Sequence, residues 1–211
     1  MNMQDFYTGH AFDAYEFFGA HTYFGGTHFA VWAPSAQHIA VETEIGTFDL
    51  HRTQSAVWEC DAPGVQAGMV YQYWVRGANG QSVAHCDPYG TAMTLRPDGR
   101  SIVSDAPKGF ADDKWMQERT KCFDKPLNIY EVHAGSWRQK EDAAGTPTPS
   151  WPTCCPPTAR KTASPISSLC PWPSTRLRQL GLPDHRLFAP TSRYGTPDEL
   201  VAFVNACHKQ G

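Results

Sequence analysis

From Thr27 onward, apolar and polar positions alternate in short runs that proline or glycine closes. Thr27-His28-Phe29-Ala30-Val31-Trp32 stops at Ala33-Pro34, and His38 to Glu42 alternates again. Ser55 to Cys60 forms a third run, ended by Pro63-Gly64, and Met69 to Val75 a fourth. Ala78-Asn79-Gly80 supplies a hairpin-type turn before Gln81 to Ala84, and Ser101-Ile102-Val103 is predicted as the closing strand. Alternation turns one side of each strand toward a core, so regular short strands with such turns predict an immunoglobulin-like β-sandwich. Trp32, Trp58 and Trp74 lie inside these runs and are expected in the core.

The pattern changes after the sandwich. Phe110 to Cys122 is charged and predicts a linker with one or two helical turns. Pro126 then stops what precedes it, and Leu127-Asn128-Ile129-Tyr130-Glu131-Val132 predicts a buried strand that breaks at His133-Ala134-Gly135. Near the end, Thr196-Pro197-Asp198-Glu199 is a capping box with proline at the first helical position. Leu200, Phe203, Val204 and Cys207 form one apolar face at helical spacing, and Gly211 suits the stop. Strand 127–132 and helix 197–209 are expected to be poorly anchored, because few partners for them are evident.

Between them, Gly145 to Arg186 keeps neither period. Nine of these 42 residues are proline and Asp184 is the single acidic one, a composition that predicts a disordered Pro/Ser stretch.

A chain of 211 residues can form one sizeable domain or two small ones. The net charge of −3, with no basic stripe, argues against nucleic acid or an anionic membrane as partner. The start, MNMQDFYTGHAFDAYEFF, shows no basic-then-apolar signal, so a cytoplasmic location is expected. Seven cysteines without a CxxC pair fit reduced thiols, and nine scattered histidines without ligand spacing predict no metal site. No cofactor motif is present. His133 and Glu131 are expected to be structural, and no signal bears on oligomeric state.

The wording around Pro126, PLNIYEVHAGSWRQ, closely resembles the first barrel strand of bacterial 1,4-α-glucan (glycogen) branching enzymes, members of the α-amylase superfamily. FYTG and AYEFFGAH resemble the lead-in of that family, Asp87-Pro88-Tyr89 its DPY, and FAPTSRYGTPDEL its segment into the second barrel helix. The resemblance implies a multi-domain β plus α/β chain. Its parts are a lead-in (1–24), a family forty-eight carbohydrate-binding-type sandwich (25–106), a linker (107–125) and the truncated start of a (β/α)8 barrel (126–211). A complete barrel needs roughly 250 residues.

Two departures bear on glucan binding. Related modules carry a tryptophan in a GxFNxW loop, where this chain has the shorter Glu42 to Asp49. A second common aromatic follows the GQ of the hairpin, where this chain has Ser82. The module is therefore expected to be a structural partner of the barrel, with no substrate-binding residue assigned. The resemblance also suggests how Gly145 to Arg186 arose. Codons chosen for Thr146 to Thr175 can be read one frame over as TYTLLADMLPPYCQEDGFTHIEFMPMAEY. Those for Arg176 to Leu187 can give VCGNWGYQTTGY in the remaining frame, and three single-base deletions would account for both.

Branching enzymes cut an α-1,4 glucan, hold it as a covalent glycosyl-enzyme and transfer it to a 6-hydroxyl, a retaining scheme with two carboxylates. The family places its aspartate nucleophile and glutamate acid/base at the ends of the fourth and fifth barrel strands. Neither strand is expected within these residues, so no catalytic residue is assigned and the chain is expected to be inactive alone. An α-glucan is the partner implied for the full-length enzyme. Two other readings stay open: a debranching or trehalohydrolase-type relative with the same layout, and a non-enzymatic glucan-binding module.

Overall fold

A computed structural model describes residues 1–53, 55–95, 98–105, 107–119, 129–132, 166–169, 188–192 and 195–209. Its elements are α1 (Met3–Tyr7), a 3₁₀ turn (Ala14–Glu16), β1 (Gly19–Tyr23), β2 (Gly26–Trp32), β3 (His38–Thr43), β4 (Gly46–Asp49) and β5 (His51–Arg52). These are followed by β6 (Val57–Pro63), β7 (Val70–Arg76), β8 (Ser82–His85), β9 (Ala92–Met93), β10 (Ser101–Ile102), α2 (Asp113–Glu118), β11 (Ile129–Val132), β12 (Ile166–Leu169) and α3 (Pro197–His208). They fall into two units, 1–106 with 185–189, and 107–184 with 190–211.

The first unit is the sandwich. One antiparallel sheet has the order β1-β2-β6-β5, and the other β4-β3-β7-β10-β9 with β8 also on β7. The alternation read from the sequence sets which side of each strand is buried. Phe29 and Val31 on β2, Ile39 and Val41 on β3, Trp58, Cys60 and Ala62 on β6, and Tyr71 and Tyr73 on β7 share one core cluster. Phe29, fully buried, meets the Tyr71 ring at 5.0 Å and the Tyr73 ring at 6.4 Å, both edge-on. Such ring pairs add specific geometry to the large area they bury.

The sheet starts earlier than the alternation suggests. Gly19–Tyr23, within the stretch expected to be lead-in, pairs along all five residues with β2. Its sequence GAHTY begins with small residues, so the hydrophobic signal is weak although its backbone completes the ladder. The rest of the lead-in packs on the outer side of β2 and β6. There Phe18 is fully buried, with Ala14, Ala30, Val57 and partly buried Phe6, Phe17 and Tyr89 around it. Phe188 and Ala189, expected with the barrel portion, belong to this unit, where Phe188 stacks on Tyr89 at 4.9 Å.

In the second unit, α3 carries the expected cap: the Thr196 hydroxyl accepts from the Glu199 amide, and the Glu199 carboxylate accepts from the Thr196 amide. The expectation of weak anchoring is corrected for this helix. Val201 and Phe203 are buried, and Asn205 clasps the linker by donating to Gly109 O (2.8 Å) and accepting from Ala111 N (2.9 Å). His208 pairs with Asp112 at 2.6 Å and stacks on Trp115 of α2 with ring centres 3.7 Å apart. Polar partners in the linker, which no periodicity marks, supply the anchorage.

Two further expectations change. Inside 145–186, where no regular structure was expected, Ile166–Leu169 forms a strand parallel to β11, with Ile129 opposite Ile166. Four residues with apolar ends suffice for such a pairing, and parallel neighbours are what a barrel's strands require. Glu131, expected on a buried strand, is exposed, and Ile129 is exposed too, while Val132 is buried. A four-residue strand with alternating sides keeps one side in solvent. His133 and the remainder of 145–186 lie outside the described residues.

Phe29→Ala removes the ring at the centre of the sandwich. It should cost about 3–5 kcal/mol of unfolding free energy, measured by urea denaturation of the chain.

Candidate functional site

The outer side of the β3–β7 sheet carries the most suggestive group of side chains. Because Tyr71 and Tyr73 of β7 point into the core, Gln72, Trp74 and Arg76 project to the other side. Trp74 stands opposite Ala40 on β3 and Ala84 on β8, so only methyl groups flank its ring across the ladder. Trp74 is 38% exposed. Its Nε1–H donates to Glu42 Oε2 at 2.5 Å, and the Gln72 amide donates to the same oxygen at 2.7 Å. The Trp74 and Gln72 donors, with a weaker pull from Arg100, hold the Glu42 carboxyl below the usual carboxylate range, against a small opposing effect of burial. His38 and Asp49 pair at 3.1 Å on this side.

The expectation that all three strand tryptophans are core is thus corrected for two of them. Trp58 is buried and donates to Ala33 O at 3.0 Å. Trp32 is 40% exposed and meets the lead-in rings of Phe6 and Tyr7 at 5.5 and 6.2 Å. Trp74 is exposed because Tyr73 and Trp74 are neighbours on one strand and cannot both face the core. That parity was the signal in the sequence, and it required knowing which of the two rings the core takes.

A second cluster is buried. Asp87 is 1% exposed. Its Oδ2 accepts from the Tyr71 hydroxyl at 2.7 Å and the Tyr73 hydroxyl at 3.3 Å, and its Oδ1 from the Tyr89 amide at 2.8 Å. The Asp87 amide donates to Ser101 Oγ at 2.9 Å. Desolvation raises the Asp87 pKa and outweighs the donors that lower it, while burial first and then Asp87 itself push both tyrosines well up. Every oxygen of this carboxylate is engaged by the fold, and its chemistry is that of a strut.

The other sheet's outer side bears His28 paired with Asp61 at 2.9 Å and His51 with Glu59 at 3.3 Å. Among the described residues no group of three or more His, Cys, Asp or Glu side chains is arranged to hold a metal ion, and no helix is long and apolar enough to cross a membrane. Cys60, Cys86 and Cys207 are free thiols. Burial pushes Cys60 up to about 12 and Cys207 to about 11, which leaves both as unreactive thiols at neutral pH.

Residues 17–90 match the family described as carbohydrate-binding module 48 (isoamylase N-terminal domain). The sandwich is therefore a module of that class. The whole chain goes further: it is 34% identical over 218 residues to the 1,4-alpha-glucan branching enzyme GlgB of Fusobacterium nucleatum, covering 97% of this chain and 35% of that protein. It is 37% identical over 205 residues to GlgB 1 of Xanthomonas axonopodis pv. citri, covering 88% of this chain and 27% of that one. Over most of its length the chain is thus similar to the N-terminal portion of glucan branching enzymes. The chain spans about a third or less of the length of the curated relatives it matches.

Solved structures agree on the fold. A Salmonella typhimurium protein assigned as an alpha amylase superposes with a TM-score of 0.72 at 22% identity, over 92% of this chain and 32% of its own. The catalytic module of the glycogen-degrading pneumococcal virulence factor SpuA gives 0.73 at 16%, over 92% and 36%. A β-sandwich followed by the start of a (β/α)8 barrel is the architecture of the chain.

Because burial raises the Asp87 pKa above its ordinary 3.8, the folded chain holds this proton more tightly than the unfolded chain. The resulting stabilisation is fully present below the unfolded value and is lost as pH rises through the folded one. Urea denaturation between pH 7 and 4 should therefore show the wild type gaining stability relative to Asp87→Asn as pH falls. A constant difference would mean that Asp87 stays ionised throughout.

Proposed function

We propose that the chain is the glucan-engaging N-terminal portion of a cytoplasmic branching enzyme, one that breaks an α-1,4 bond and passes the freed segment to a 6-hydroxyl. The free thiols support the cytoplasmic placement. The observation that carries the functional reading is similarity to branching enzymes along 88–97% of the chain, joined to an exposed indole on a sandwich of the carbohydrate-binding class. A pyranose ring offers a nearly flat apolar C–H face, which an exposed aromatic ring meets, while polar neighbours take the hydroxyls. Trp74 supplies the ring, and Gln72, Glu42 and Arg76 stand on the same side of the sheet. This gives the module a role in substrate capture despite the missing aromatics at Ser82 and in the 42–49 loop.

Catalysis itself requires the carboxylate pair of the fourth and fifth barrel strands, and these 211 residues provide no counterpart of it. The 211-residue chain should bind maltoheptaose yet introduce no branches into amylose, followed by iodine staining. Trp74→Ala should weaken binding by roughly fivefold, corresponding to about 1 kcal/mol of lost ring contact, in isothermal titration. Unchanged binding in Trp74→Ala would remove the platform from the proposal.

The stretch 145–186 is, in the same proposal, a product of shifted reading frames. Resequencing the coding region from Lys140 through Gly211 should restore three bases and the WGYQ wording. Deletions confirmed in the gene would instead make the chain the product of a decayed gene.

A further inference from the structure

We propose that Glu42 is the positioning residue of this platform, its carboxylate fixing the Trp74 indole and the Gln72 amide in the orientation that receives a neutral glucan chain. The inference rests on the glucan-binding reading above and adds a residue and a mode of action to it. Glu42 lies directly opposite Gln72 in the β3–β7 register, and Trp74 is the next outward residue on β7, opposite Ala40. The carboxylate thus reaches one partner straight across the ladder and the other on the diagonal, the two distances at which side chains on one sheet face can meet.

Both donors converge on one oxygen, at 2.5 and 2.7 Å, and these charge-assisted bonds are the strong kind. An exposed tryptophan between two alanines has no bulky neighbour across the ladder to hold its ring, so it would otherwise sample several rotamers. Tying its N–H to Glu42 removes freedom that a ligand would have to remove on binding. Among the described residues no donor reaches Oε1 of Glu42, so that oxygen remains able to accept from a sugar hydroxyl beside the ring. A carboxylate in this place also disfavours glycans that carry acidic groups.

The test compares maltoheptaose binding to the 211-residue chain and to Glu42→Ala, Glu42→Gln and Trp74→Ala, by isothermal titration. It is read together with the indole N–H resonance of Trp74 in ¹⁵N-tryptophan-labelled protein, identified by its absence in Trp74→Ala. Glu42→Ala should weaken binding by roughly fivefold at most, no more than Trp74→Ala, and shift the Trp74 indole resonance. Glu42→Gln, whose amide oxygen can accept both donors, should stay within about threefold of wild type. If Trp74→Ala loses affinity while Glu42→Ala binds like wild type, the platform stands and the positioning role is wrong. If Glu42→Ala weakens binding but leaves the indole resonance in place, Glu42 acts by direct contact and the positioning role is again wrong. Wild-type affinity in Trp74→Ala overturns the platform and this inference together.

Discussion

Strand β7 is the constraint on which the sandwich depends. Its inward tyrosines do two jobs at once: their rings close on Phe29 from the opposite sheet, and their hydroxyls converge on Asp87. A buried carboxylate is tolerable only when its lone pairs are taken, and here two phenols and a backbone amide take them. Ser101 accepts from the Asp87 amide, so the same residue also ties the turn after β8 to β10. The apolar and polar parts of the core therefore share the same two side chains, which fixes the register of β7 against its neighbours.

That register decides what faces outward. With Tyr71 and Tyr73 committed to the core, Gln72 and Trp74 must project from the other side, and β3 then sets Glu42 within reach of both. A slip of one residue would exchange the two sets, turning Gln72 and Trp74 toward Phe29 and leaving the buried Asp87 without its phenol donors. The outward group is thus a consequence of the inward one. Core packing and the proposed glucan contact are two sides of one strand.

Much of this was legible in the chain. The runs at Thr27, His38, Ser55 and Met69 gave strands because alternation is a local signal, and the Thr196-Pro197-Asp198-Glu199 box marked α3 because capping chemistry is local too. Strand β1 escaped notice because Gly19 and Ala20 carry little hydrophobic signal, and its pairing with β2 depends on hydrogen bonds that any backbone can make. The anchoring of α3 was hidden because Asn205 and His208 find partners about 96 residues away in the linker. The exposure of Trp74 was half visible: two aromatic neighbours on one strand announce that one faces out, and the choice is made by Phe29 and Asp87 in three dimensions.

In the proposed reading, the loss of an aromatic at two places common in related modules does not empty the sheet of groups that could meet a sugar. Loop aromatics reach a ligand from a flexible support, whereas Trp74 sits on a central strand paired on both edges, with β3 on one and β8 on the other. A ring so placed has little backbone freedom, and its remaining side-chain freedom is curbed by the bond to Glu42. Fewer aromatics mean less contact area, but a pre-ordered ring spends less of that contact on its own ordering. What separates a weak platform from none is then the electrostatic anchor beside the ring, and this places the weight of the site on a carboxylate that sequence alone would assign to an ordinary solvated strand position.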